Sequence, residues 1–251
     1  MFDKKHAVGH GQNKRMNIAP LLYRKTMVEV KQRFRAIDRI LGAKKSRTLT
    51  EEFDNEFMWL QIRKIVELVV FGGIMADEQR YAALRAEVTD SHYTQDWKVN
   101  KILPKLAQIT PHYLPRPLGE MITMDDGTKH FLEGKEQQTI DRFLHIYNRA
   151  GEHLHAPNPL GFEVLAAFHE RRLASRKEIT VELSYLKGIL WEHVKLGVLF
   201  NPGVDKPRDG ADPDNAWLVS FGRPELEDIR MATAKGIPVE QESKAELDEG
   251  R

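Results

Sequence analysis

The stretch from Glu51 to Met75 limits the fold more than any other part of the chain. Phe57, Met58, Trp59, Leu60, Ile62, Ile65, Val66, Val69 and Val70 place apolar side chains on most sides of the helix it would form. A helix with one apolar stripe lies at a surface, whereas one that is apolar all round belongs in the middle of a bundle. Its longest apolar run, Ile65 to Met75, is interrupted by Glu67 and carries Gly72 and Gly73. It is therefore shorter than the roughly 20 apolar residues that span a bilayer. Glu56, Arg63 and Glu67 lie within the same helix. Arg63 and Glu67 are i, i+4, and Glu56 falls two turns before Arg63 on that face. Charge in such surroundings must be paired or used, so a buried ion pair fixing the register and a part in chemistry both stand.

Other helices surround this one. From Leu21 to Leu41 apolar residues recur at spacings of three and four up to Gly42, and Arg24, Lys25, Lys31, Arg35 and Arg39 occupy the polar face. Thr48 or Thr50 can cap the helix that follows. Further helices are expected over 77–88, 95–107 (kinked or shortened at Pro104), 136–155, 162–175 and 181–194. Pro111, Pro115 and Pro117 make 110–118 an extended connector. Asp126-Gly127 signals a β-hairpin over about 120–132, and C-terminal strands are expected over about 196–221. The fold class expected is mainly α: a helical bundle with a small β-hairpin insertion and a C-terminal β-hairpin. Residues 1–17 read as a mobile basic leader, 18–235 as a single mainly helical domain, and 236–251 as an acidic disordered tail.

At 251 residues the chain can bury a real core unaided, and it contains no cysteine. That excludes a disulfide scaffold, a thiol nucleophile and an iron–sulfur cluster. The polar Met1–Arg15 lacks the apolar core of a secretory signal, so a cytoplasmic location without membrane contact is expected. The net charge of +1 conceals a gradient. Residues 1–50 hold thirteen Lys and Arg against three acids, whereas residues 202–251 hold seven against twelve. A basic face can mark a nucleic-acid footprint, with Arg24, Lys31, Arg35 and Arg39 drawing in the backbone, or it can be merely solvated.

No phosphate loop, dinucleotide fingerprint, nucleophile elbow or metalloprotease motif is present. The densest cluster of reactive side chains is 145–159, with His145, Asn148, Arg149, Glu152, His153, His155 and Asn158. Arg149 and His153 are i, i+4 and face the same way. A guanidinium can steady a phosphodiester while a nearby imidazole moves a proton near neutral pH. His145, His153 and His155 with Glu152 could instead ligate a metal, but only if the helix has ended between the last two histidines. His155 and Asn158 could equally close the helix end. Trp59, Trp97, Trp191 and Trp217 are spaced like core residues, and none reads as a base-stacking platform among basic clusters.

Arg149-Ala150-Gly151-Glu152-His153-Leu154-His155 resembles the Arg-x(4–6)-His signature of HEPN domains, a superfamily of nucleotide-binding helical bundles. Phe57–Val70 and the later Leu154-His155-Ala156-Pro157-Asn158-Pro159 are also similar to uncharacterised bacterial proteins. The HEPN resemblance implies a metal-independent ribonuclease, or an RNA- or nucleotide-binding protein, of the kind found among bacterial toxins and defence components. As an enzyme it would be an endoribonuclease-type phosphodiesterase, active as a homodimer and without a cofactor. Arg149 would bind phosphate, His155 would be the base, and Glu67 or Glu56 would order the site. Arg63, His153 and Asn148 would support it, with Ala150 standing where family members often carry a polar residue. The alternative is a non-catalytic helical adaptor that binds nucleic acid or a protein partner through its basic first helix.

Overall fold

A computed structural model describes residues 18–76, 78–88, 96–110, 112–127, 129–156, 158, 160, 162–196 and 216–233. The expected leader and acidic tail, and the strand segment 197–201, lie outside the described residues. The chain is mainly helical with a small antiparallel sheet. In order, the elements are α1 (Ala19–Leu41), α2 (Glu51–Ala76), α3 (Glu78–Val88), α4 (Val99–Ile109), β1 (Arg116–Thr123) and β2 (Lys129–Glu133). They continue with α5 (Ile140–Leu154), α6 (Phe162–Ala174), α7 (Arg176–Leu190), β3 (Glu192–Leu196), β4 (Ala216–Ser220) and β5 (Arg230–Thr233).

The apolar α2 is the hub. It packs against α1 along its length, against α5 on a second side, and against α4, α6 and α7. Met58, Trp59, Ile62, Ile65, Val66, Val69 and Val70 are fully buried in these contacts. Burying each such side chain contributes roughly 1.5–3 kcal/mol. The enclosure is incomplete, however, because Phe53, Phe57 and Leu60 remain partly exposed along one stripe. Close approach between α1 and α2 depends on Gly72, where a Cβ would stand 2.7 Å from the Tyr23 ring. Among the described residues no helix is long and apolar enough to cross a membrane.

Where two separate hairpins were expected, the five strands form one sheet in the order β2-β1-β3-β4-β5. The join is antiparallel pairing of Arg116 with Val194 and of Pro117 with His193. The helix expected to run to Val194 therefore stops at Leu190. His193 and Val194 are claimed by the sheet, a tertiary override that local periodicity cannot register. Likewise 116–118 is strand rather than a free connector. Pro104 lies inside α4 without ending it. Pro104 and Asn100 are both exposed, and Pro104 lacks the N–H that would otherwise bond the Asn100 carbonyl.

Candidate functional site

Helix α5 starts at Thr139, whose side chain accepts the Arg142 N–H, and ends at His155, whose backbone turns extended while its N–H donates to the Gly151 carbonyl. His155 thus lies beyond the helix, exposed. Asn148 and His145 are exposed as well. Around Arg149, one turn earlier, the structure gathers Glu178 of α7, Glu152 and His153. The Arg149 guanidinium grips Glu178 with two bonds, Nε to Oε1 at 2.5 Å and Nη2 to Oε2 at 2.9 Å. It also donates from Nη1 to Glu152 at 2.6 Å. These carboxylates hold the Arg149 pKa above its already high ordinary value. Burial alone would raise the Glu178 carboxyl, but the Arg149 bonds and charge outweigh it and set the pKa below the usual range.

His153, rather than His155, is the imidazole that faces this pair. It is fully buried and lies flat on the Trp59 indole, with centroids 4.7 Å apart and planes 5° off parallel. Its Nε2 is 4.0 Å from Glu178, beyond hydrogen-bonding range. Neither ring nitrogen has a partner, and neither does Trp59 Nε1. Burial, followed by the Arg149 charge, pushes the His153 pKa down to about 4, so the ring is neutral at physiological pH. Its main-chain carbonyl accepts two bonds from Arg172 at 2.9 and 2.8 Å. Arg172 also pairs with Glu56 at 2.8 Å.

Of the three charges expected on one face of α2, Arg63 and Glu67 pair with each other while Glu56 serves Arg172. Arg63 pairs with Glu67 at 3.3 Å, donates to the Tyr147 hydroxyl at 2.6 Å and lies 4.0 Å from that ring's centroid. Gly151 leaves it room, since a Cβ there would stand 2.8 Å from Arg63 Nη1. Glu67 also receives Lys64 at 2.7 Å. Among the described residues no group of three or more His, Asp or Glu is placed to hold a metal ion.

The basic face expected on α1 needs correction. Arg24 and Lys31 are buried. The Lys31 ammonium donates to the carbonyls of Phe221 at 2.5 Å and Asp228 at 2.7 Å. Desolvation, then the Arg35 charge, lowers its pKa. Arg24 pairs with Asp228, and Arg35 with Glu227 at 3.3 Å. Positions 24, 31 and 35 do share a helical face, but that face meets the segment between β4 and β5 instead of solvent. Arg39 is exposed.

The open cations lie just beyond α1. In the turn between α1 and α2, Lys44, Lys45 and Arg47 are exposed. The end of this turn is fixed by Asp54, which is buried. Its carboxylate accepts the N–H groups of Arg47 at 3.1 Å and Thr48 at 2.8 Å, and the Thr48 hydroxyl at 3.0 Å. Burial opposes the ionised form of Asp54, but these bonds prevail and lower its pKa.

Trp97 shows the same construction and was missed. Expected in the core, it is 63% exposed immediately before α4, with the Lys98 ammonium 4.9 Å from its ring centroid. The preceding Asp96 is held by the Tyr81 hydroxyl at 2.7 Å and by Arg85 at 2.5 and 2.7 Å. The signal available in the sequence was Lys98, Lys101 and Lys105 after the tryptophan. By contrast, His193 is structural: it is buried, accepts the Tyr23 hydroxyl at Nε2 (2.9 Å) and donates from Nδ1 to Leu190 (2.8 Å). Compared with protein-family models, curated proteins and solved structures, the chain matches none.

Proposed function

We propose that this chain is a non-catalytic helical adaptor that binds nucleic acid through the basic turn between α1 and α2, with Arg39 beside it. The observation that carries this reading is a run of three exposed cations, Lys44, Lys45 and Arg47, the last of which stands on backbone fixed by Asp54. Pre-ordered cations lose less freedom when they meet phosphate, and none of the described residues pairs with their side chains. Arg149 supports the same choice from the other side. To bind phosphate it would have to exchange both Glu178 and Glu152, so the HEPN-like ribonuclease role is the weaker fit to this geometry.

The test is fluorescence anisotropy of a labelled single-stranded RNA across a salt series, with Lys44, Lys45 and Arg47 all replaced by alanine. Each phosphate contact on a single strand contributes a slope of about 0.7 to log affinity against log salt, so the triple variant should lose about 2 from that slope. An unchanged slope, or no binding at about 50 mM salt, overturns the reading. RNA incubated with the protein in EDTA should remain intact. Cleavage abolished by Arg149→Ala and by His155→Ala would restore the ribonuclease role instead.

A further inference from the structure

We infer that Trp97, with Lys98, Lys101 and Lys105, forms a base-stacking subsite for single-stranded nucleic acid; this inference rests on the nucleic-acid reading above. An indole is usually among the most buried side chains, yet this one is 63% exposed. It is also held in place, because Asp96 beside it is fastened to Tyr81 and Arg85 of α3. Lys105 follows Lys101 by four residues, so the two share one side of α4, and Trp97 stands just before the N-terminus of that helix. With the Lys98 ammonium 4.9 Å from the ring centroid, a base laid on the indole arrives beside cations that its own phosphates can meet.

Two features favour nucleic acid over a protein partner. Lysine is depleted in protein interfaces, where arginine and aromatic residues gather. Among the described residues the other exposed positions on this side, Asn100, Pro104 and Gln108, are uncharged, so the cations there stand without an opposing charge on the helix. Stacking also sets strandedness, because the π-face of a base is available only when it is not sandwiched in a duplex. The subsite lies apart from the basic turn. Helix α4 meets α2 near its C-terminal end, where Gly73 faces Leu106, whereas the turn precedes the N-terminal end of α2.

The experiment titrates the full chain with a 15-nucleotide oligo(dT), and with the same strand paired to oligo(dA), following tryptophan emission and anisotropy together. Trp59 and Trp217 are fully buried and Trp191 is half-buried, so emission quenched by a stacked base is that of Trp97. The single strand should quench strongly and the duplex little. Trp97→Ala should weaken single-strand binding about 5- to 100-fold while leaving duplex binding unchanged, and Trp97→Phe should retain part of the affinity. Equal thermal midpoints for the variants establish that the fold is kept. Single-strand binding without quenching, or an equal loss on both forms in Trp97→Ala, overturns the subsite while the basic turn stands. Absence of binding by anisotropy on either form overturns the adaptor reading and the subsite with it.

Discussion

Replacing Asp54 with alanine tests the central structural claim, that one buried carboxylate organises the basic turn. The substitution removes the acceptor for two backbone N–H groups and one hydroxyl. A hydrogen bond to a charged group contributes about 1.5–3 kcal/mol. The turn is open enough for water to reach part of what is exposed, so the three losses do not add fully. A net loss of about 3 kcal/mol is expected, which for a chain of this size lowers the melting temperature by about 6–12 °C. Asp54→Asn keeps one acceptor oxygen without the charge and should fall between. The sign with pH is fixed by the lowered pKa. The Asp54 contribution is full above the unfolded carboxyl value of about 3.9 and is lost as pH falls through the folded value. Urea denaturation at pH 7 and pH 3 should therefore show a smaller difference between the two pH values for Asp54→Ala than for wild type. RNA affinity should fall too, although no cation has been removed. Stability within about 0.5 kcal/mol of wild type refutes the claim for the fold. Unchanged affinity in a destabilised variant refutes it for binding.

Two further outcomes follow from the same contacts. His153→Phe keeps the stack on Trp59 and removes two buried nitrogens that have no partner, so it should be as stable as wild type or more so at pH 7. Below the unfolded histidine value of about 6.5 the unfolded chain binds a proton that folded His153 refuses until about 4, so wild-type stability falls as pH drops through that window. The variant should lose less between pH 6.5 and 4.5 in urea titrations, with His193 and His112 among the groups that supply the remaining dependence. A loss above about 1 kcal/mol at pH 7 would sink the structural assignment of His153. Gly72→Ala gains about 1 kcal/mol of helix propensity, but its Cβ would stand 2.7 Å from a Tyr23 ring that is tethered to His193. A net destabilisation of about 1–3 kcal/mol is expected from the resulting overpacking. A melting temperature equal to wild type would mean that Tyr23 swings aside freely.

Much of the helical layout could be read locally, because α1, α2 and α5 carry their own periodicity and stop signals. Gly42 lies at the end those signals indicate, whereas α5 starts at Ile140 behind the Thr139 cap, four residues later than expected. The sheet could not be read in this way. Its joining pair, Arg116 with Val194 and Pro117 with His193, links segments nearly eighty residues apart, and nothing within either segment specifies the other. For His193 the local pattern was compatible with helix, and pairing with β1 and β4 decided otherwise. The open stripe on α2 was hidden for a related reason: periodicity shows that Phe53, Phe57 and Leu60 are apolar, but not whether a neighbour covers them.

The charged residues show why a site is harder to read than a fold. Arg24, Lys31 and Arg35 look like a basic face until Glu227, Asp228 and the Phe221 carbonyl, nearly two hundred residues later, are packed onto it. Arg149 looks like a phosphate clamp until Glu178 arrives from α7. In both cases a deciding partner comes from a distant part of the chain, so no local motif can reveal it. Lys44, Lys45, Arg47, Lys98 and Lys101 stay exposed for the complementary reason. Two carboxylates close to them in the fold, Asp54 and Asp96, are already committed to the backbone N–H groups of the turn and to Tyr81 and Arg85. Because the two carboxylates direct their oxygens at the chain and at α3 rather than at the lysines, the cations keep their ammonium groups for direct contact with phosphate. Those next to the tied residues lose less freedom when a polyanion binds, which favours a fixed contact over a diffuse one.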